Sequence, residues 1–335
     1  MINMKHNRKL SMLAAAVCMV ATGFASAAKV EGMEKLERMG EYKTPLVTYH
    51  AAKPSREHLA LVSKTAAQLS DLNDIRLNQE HAFSLGANRI GYTSDDDPSA
   101  SFEVDRLTGN FLFNGGLKKY RRDESTRDLP SEGDAVEISQ RWLQEIGLAP
   151  YADELEIAHV GGLNMSASDG KTGSVIYEKL KTVRFSRVLD GLPVAGDARI
   201  IMQLGESGKL AGMIYQWPEI GEVQKLGSRE LLPAEKLQSQ ARDKIESVAK
   251  KALSAQLKAV DLVLYDDGLG VMEPAYHVVV ERYFDYGDKE PTMIPFDFYV
   301  PTTIEPQAFY PYMEVAELAP QDGRDEGEIK NDRDE

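Results

Sequence analysis

The sequence predicts an α+β protein made of tandem two-layer units, each a helix packed on a curved antiparallel sheet. Three observations lead there. Three segments carry helical apolar periodicity, the stretches between them alternate apolar and polar residues around Gly-containing turns, and two landmarks recur at nearly constant spacing. One helix laid on one face of a curved sheet covers the apolar side of both, which is a stable two-layer arrangement.

The first helix follows "KPSRE" (residues 53–57), with Leu59, Val62, Ala66 and Leu69 on one stripe. The second follows "LPSEGD" (residues 129–134), where Ser131 is the N-cap and Ala135, Ile138, Trp142 and Ile146 are in phase. Gly147 and Pro150 stop it. The third follows "LLPAE" (residues 231–235), with Ala241, Ile245, Val248 and Ala252 in phase, and is expected to be the longest, ending near Leu257. Each stripe is one face wide, so each helix needs a partner surface.

Strand patterns occupy residues 101–113, 174–189, 198–204, 209–217, 260–267, 275–284 and 294–300. Two of them are hairpins, one turning at "RLTGN" (residues 106–110) and one at "GESG" (residues 205–208). The hairpin glycines Gly109 and Gly208 are 99 residues apart, and the helix-opening prolines Pro130 and Pro233 are 103 apart. That register reads as an internal repeat. The expected units are residues 41–125, 129–228 and 229–313, followed by an acidic tail over 314–335 read as disordered.

The N-terminus sets the expected compartment. Lys5, Arg8 and Lys9 precede an apolar run over 12–24, and "ASA" (residues 25–27) offers small residues for cleavage, so residues 1–27 read as a secretory signal peptide. The apolar run is short of the ~20 residues a membrane span needs. An exported, periplasmic or secreted protein follows, with no integral membrane segment after cleavage. The single cysteine, Cys18, lies inside the leader, which leaves the mature chain without disulfide, thiolate nucleophile or Cys-ligated metal. Removing the three leader cations takes the formal charge from −14 to −17. So acidic a surface argues against nucleic acid and anionic lipid as partners.

The stretch "RVLDGLPVAGDARIIMQLGESGKLAGMIYQW" (residues 187–217) carries a G-x-P-V-x-G turn, a strand, a G-K hairpin tip and a return strand, in Gly191, Pro193, Val194, Gly196, Gly208 and Lys209. In this it resembles the PepSY-like and thermolysin-propeptide-like domains of exported bacterial proteins. Residues 130–148 resemble the helix that opens such units, and "VMEPAYHVVV" (residues 271–280) resembles a strand of multi-unit relatives. The resemblance implies either a module that inhibits or helps fold a cognate peptidase or a regulatory or sensory extracytoplasmic module. Unlike a propeptide, the sequence shows no peptidase domain after the repeat. On physical grounds the glycines and prolines shape turns and set strand register.

Catalytic patterns are weak. His50, His58, His81, His159 and His277 show no metal-ligand spacing. "SVAK" at Ser247 lies inside a helix, and "KTG" at Lys171 precedes it, the wrong order for a penicillin-binding-protein site. "YEKLK" (residues 177–181) has no nucleotide turn before it, and "SDDDPSAS" (residues 94–101) lacks the Gly and the final Glu of a calcium loop. No catalytic, metal or cofactor residue is assigned, and no cofactor is expected. The aromatic set Phe296, Phe298, Tyr299, Phe309, Tyr310 and Tyr312 serves either core packing or a protein partner. The leading expectation is therefore an exported non-enzymatic protein that binds a protein partner such as a peptidase, by strand addition at a sheet edge or through the aromatic segment. The alternatives are an enzyme with a site assembled between units and a carrier of a small apolar ligand.

Overall fold

The computed structural model describes residues 29–42, 45–73, 75–78, 82–84, 86, 88–122, 124–168, 174–287 and 290–311. The leader, the acidic tail, His81, the "KTG" residues and Tyr312 lie outside them. In chain order the elements are β1 (Lys29–Glu31), β2 (Val47–Ala51), α1 (Arg56–Leu72), β3 (Phe83–Ser84), β4 (Arg89–Thr93), β5 (Ala100–Asp105), β6 (Phe111–Gly115) and α2 (Glu132–Glu145). Then come β7 (Leu155–Ser168), β8 (Ser174–Leu189), β9 (Leu192–Gly196), β10 (Arg199–Leu204), β11 (Leu210–Gln216) and β12 (Ile220–Lys225). The chain continues through α3 (Ala234–Ala249), β13 (Ser254–Asp266), β14 (Val271–Phe284) and β15 (Thr292–Pro301).

The expected tandem helix-on-sheet units are overturned. Among the described residues fifteen strands form one mixed sheet, ordered β12-β2-β14-β13-β9-β8-β10-β11-β6-β5-β4-β3, with β1 branching from β13, β15 from β14 and β7 from β8. The two hairpins read as a repeat sit side by side in this sheet, because β6 pairs with β11. The physical reason is range. Alternation along a strand reports which face is buried but not which edge it pairs with. Early strands β1 and β2 pair with late ones: β1 runs parallel to β13, and β2 lies between β12 and β14.

The helices also depart from one per unit. Both α1 and α2 cover a single core with β5, β6, β8, β10 and β11, in which Phe102, Phe113 and Phe185 are fully buried. Burial of each such ring stabilises by roughly 1.5–3 kcal/mol. Ser55 caps α1 by accepting from the His58 N–H at 3.0 Å, and Ser131 caps α2 by accepting from the Asp134 N–H at 3.2 Å. Gly147, at φ 73°, ends α2. The third helix packs with the 3-10 turn Met33–Arg38 against β13, β14 and β15. It stops at Ala249 because residues 254–257 alternate instead, placing Ala255 and Leu257 in the core as part of β13.

A small core joins the two helix-covered regions, built from Tyr49, Leu189, Val194, Ala198, Leu264 and Met272. The G-x-P-V-x-G stretch makes this joint. Asp190 and Gly191, at φ 48° and 78°, form the tight turn that returns β8 into β9, and β9 then runs parallel to β13. A Cβ on Gly196 would sit 2.1 Å from the Asp266 carbonyl oxygen, so only glycine lets these backbones meet. Arg187, 4 % exposed, locks the joint. Its guanidinium donates to Glu154 at 2.7 and 3.0 Å and to the Pro218 carbonyl at 2.6 Å, and it lies 5.1 Å over the Trp217 ring.

Candidate partner-binding surface

The predicted aromatic set is split by the strand period. Phe298 is fully buried against α3, and Phe296 packs beside it under the Arg282 guanidinium at 5.0 Å. Tyr299 points to the other face, stacking on Tyr265 at 4.3 Å and His277 at 4.7 Å, while Tyr310 lies 4.9 Å from Tyr265 and is buried. Burial, then Asp297, pushes the Tyr299 phenol up to about 12. Phe309 is half exposed at 50 %, and Tyr312 lies outside the described residues. Thus β15 brings its rings to two opposite surfaces rather than to one patch.

The segment around Tyr310 is held by one buried carboxylate, Glu273, and one at the surface, Asp267. Glu273, 1 % exposed, accepts from the N–H groups of Ala308 at 3.0 Å and Gln307 at 3.2 Å, and Asp267 accepts from the Phe309 N–H at 3.0 Å. Burial raises the Glu273 carboxyl, opposed by those N–H bonds. Burial also lifts Asp266 to about 6, against the Gly268 and Ala198 N–H groups that its oxygens accept. These acids bind backbone and so tie loops to the β13–β14 hairpin. Elsewhere, His277 meets Asp297 at 3.0 Å, His58 meets Glu219 at 3.4 Å, and Lys181 pairs with Glu178 along its own strand at 2.6 Å. Asp97 accepts from Ser99, and Asn78 donates to Asp95. Among the described residues no group of three or more His, Cys, Asp or Glu side chains is placed to hold a metal, and no helix is long and apolar enough to cross a membrane.

The sheet edges separate sharply in chemistry. An open edge presents unpaired N–H and C=O groups, and proteins blunt such edges with prolines, charges or short length. β15 carries Pro295 and Pro301, β12 carries Glu222 and Lys225, and β3 has two residues. β7 is the least protected of them, with a single carboxylate, Glu156, at its start. It runs for fourteen residues, "LEIAHVGGLNMSAS", pairs only with β8, and contains no lysine or proline. Ile157 and Leu163 are 48 % and 47 % exposed.

Beyond Lys181 the β8 strand no longer has β10 beside it, and past the loop strapped to Glu178 and Lys179 residues 165–168 and 174–177 extend as a two-stranded arm. Its apolar residues Val175 and Ile176 are exposed. The register shifts at Ile157/His159 and at Leu163/Asn164, flanking Gly161 and Gly162, which bends the strand without closing its edge. Sequence reading passes over β7, since its glycine pair and small residues weaken the alternation. The available signal is the Leu155–Ile157 start behind the Gly147–Pro150 helix stop.

No family model matches the sequence, and no curated protein matches it. Two solved structures are similar. An uncharacterized protein from Eubacterium rectale ATCC 33656 is 13% identical with a TM-score of 0.41, covering 78% of this chain and 84% of that one. The Bacillus megaterium YpeB C-terminal domain is 12% identical with a TM-score of 0.34, covering 75% of this chain and 94% of that one.

Proposed function

We propose that this is an exported, non-enzymatic binding protein that captures an extended segment of a protein partner by strand addition along β7. The observation that carries the reading is the β7 edge, fourteen residues long and free of proline and lysine. Backbone hydrogen bonds to that edge supply affinity, and the exposed Ile157 and Leu163, brought to opposite faces by the register shift between them, supply one side-chain contact on each face of the incoming strand. The role as inhibitor, chaperone or accessory factor rests on the resemblance of residues 187–217 to PepSY-like modules, and export rests on the leader pattern.

The test uses extended peptides selected from a random display library on the full chain, with binding read by fluorescence anisotropy. The double variant Ile157→Lys/Leu163→Lys places charge on the edge at two exposed positions, so folding is retained. It should weaken the selected peptides at least ~tenfold while leaving the melting temperature unchanged. A library that yields no binder, or peptides that bind the variant equally well, would overturn the reading.

A further inference from the structure

A second surface, independent of β7, carries a different ligand chemistry. The 3-10 turn Leu117–Arg121, the loop after it, β8 and the β10–β11 tip enclose a cleft of about 420 Å3. Among the described residues its lining holds five cations, Lys119, Arg122, Arg127, Lys179 and Lys209, against two carboxylates, Glu124 and Glu206. This local positive excess sits in a chain of formal charge −14. A dense basic run, "KKYRR" (residues 118–122), supplies much of it and is the signal that sequence reading leaves unused.

The cleft is built rather than incidental. Thr126 donates its N–H to the Glu178 carbonyl at 2.9 Å and its hydroxyl to the Lys179 carbonyl at 2.7 Å, and Ser125 accepts from the Glu178 N–H at 3.2 Å. These bonds strap the loop to β8. The opposite wall is fixed as well, because the Ser207 N–H donates to the Asp128 carbonyl at 2.9 Å and the Gly205 backbone abuts the Tyr120 hydroxyl.

At the back lies Lys179, 3 % exposed. Its ammonium donates to the carbonyls of Arg122 and Glu124 and lies 5.1 Å over the Tyr177 ring. Carbonyls satisfy its protons but not its charge, and among the described residues no carboxylate reaches it at salt-bridge distance. A buried charge left uncompensated is costly, so the site favours an anion. At the mouth, the Lys119 ammonium is held below its ordinary value, first by burial and then by the Lys209 ammonium, against the pull of Asp97 and Glu206.

We propose that this cleft binds a phosphate or sulfate group, free or carried on a small molecule, held by Lys119 and Lys209 in front of the buried Lys179. Lysine ammonium groups form charge-assisted bonds to such oxyanions. The volume falls in the lower part of the ~300–1,000 Å3 range of small-ligand sites, which leaves room for a group attached to the anion.

Isothermal titration of the full chain with pyrophosphate, at constant ionic strength, tests this. Saturable binding at one site per chain is expected, weakened at least ~tenfold in Lys119→Gln/Lys209→Gln. Both positions are solvent-exposed, and the variant should melt like the wild type without pyrophosphate. Competition by glycerol phosphate stronger than that by inorganic phosphate assigns a ligand that carries the group, and equal competition assigns the free ion. No saturable heat with pyrophosphate, undiminished binding in the double variant, or binding of an oligoglutamate peptide in place of pyrophosphate would each overturn the proposal.

Discussion

Replacing Asp266 by asparagine should remove a pH dependence whose size follows from its site. The side chain is 4 % exposed at the joint between β13 and β9, and burial lifts its carboxyl from the ordinary 3.8 to about 6. The folded chain therefore holds this proton to higher pH than the unfolded chain does. As pH rises through the window from 3.8 to about 6, the unfolded state releases the proton first, and wild-type stability falls. The interval corresponds to about 3 kcal/mol, lost in full above the folded value. The asparagine side chain of the variant cannot ionise. Its amide oxygen keeps the Gly268 N–H bond, while the lost second acceptor costs about 1 kcal/mol at every pH. Glu273 titrates in the same direction in both proteins, so their difference isolates Asp266. Urea unfolding at pH 4, 5, 6 and 7.5 supplies the assay. The unfolded carboxyl is already more than half ionised at pH 4, so the stability of D266N minus that of wild type should rise by roughly 2.5 kcal/mol across the series. A difference that stays constant with pH would refute the burial argument for this carboxyl.

Other perturbations test the joint. Arg187→Met leaves Glu154 and the Pro218 carbonyl without their shared donor and should cost roughly 3 kcal/mol, read as a lower urea midpoint at unchanged slope. Gly196→Ala, at φ 103° with its Cβ forced to 2.1 Å from the Asp266 carbonyl, should cost at least about 2 kcal/mol. Gly191→Ala, at φ 78° with open space around it, should cost only about 1 kcal/mol, and the ranking of the two is checked by thermal unfolding. Ser131→Ala removes the α2 cap and should cost about 1 kcal/mol in the same measurement.

Local structure was legible where short-range chemistry decides it. Ser131, Gly147 and the stripe from Ala135 mark α2, and the Gly109 and Gly208 turns mark two hairpins, because caps and positive φ values are set within a few residues. Pairing was not legible. Nothing local tells β2 that its neighbours are β12 and β14, so equally spaced landmarks read as successive units instead of adjacent hairpins in one sheet. The aromatic residues show the same limit. Phe296, Phe298 and Tyr299 announce burial, but the buried partners, α3 on one side and Tyr265 on the other, come from distant segments. The β7 edge left little trace, since an exposed strand needs no strong apolar period to stay in place.

Hydrogen exchange along β7, with and without a peptide selected on the full chain, tests strand addition most directly. Amides between residues 155 and 168 that exchange freely in the unbound protein should become protected on binding, while β12 and β15 remain unchanged. Protection confined to β15 or to the Phe309 segment, with β7 unaltered, would contradict the account.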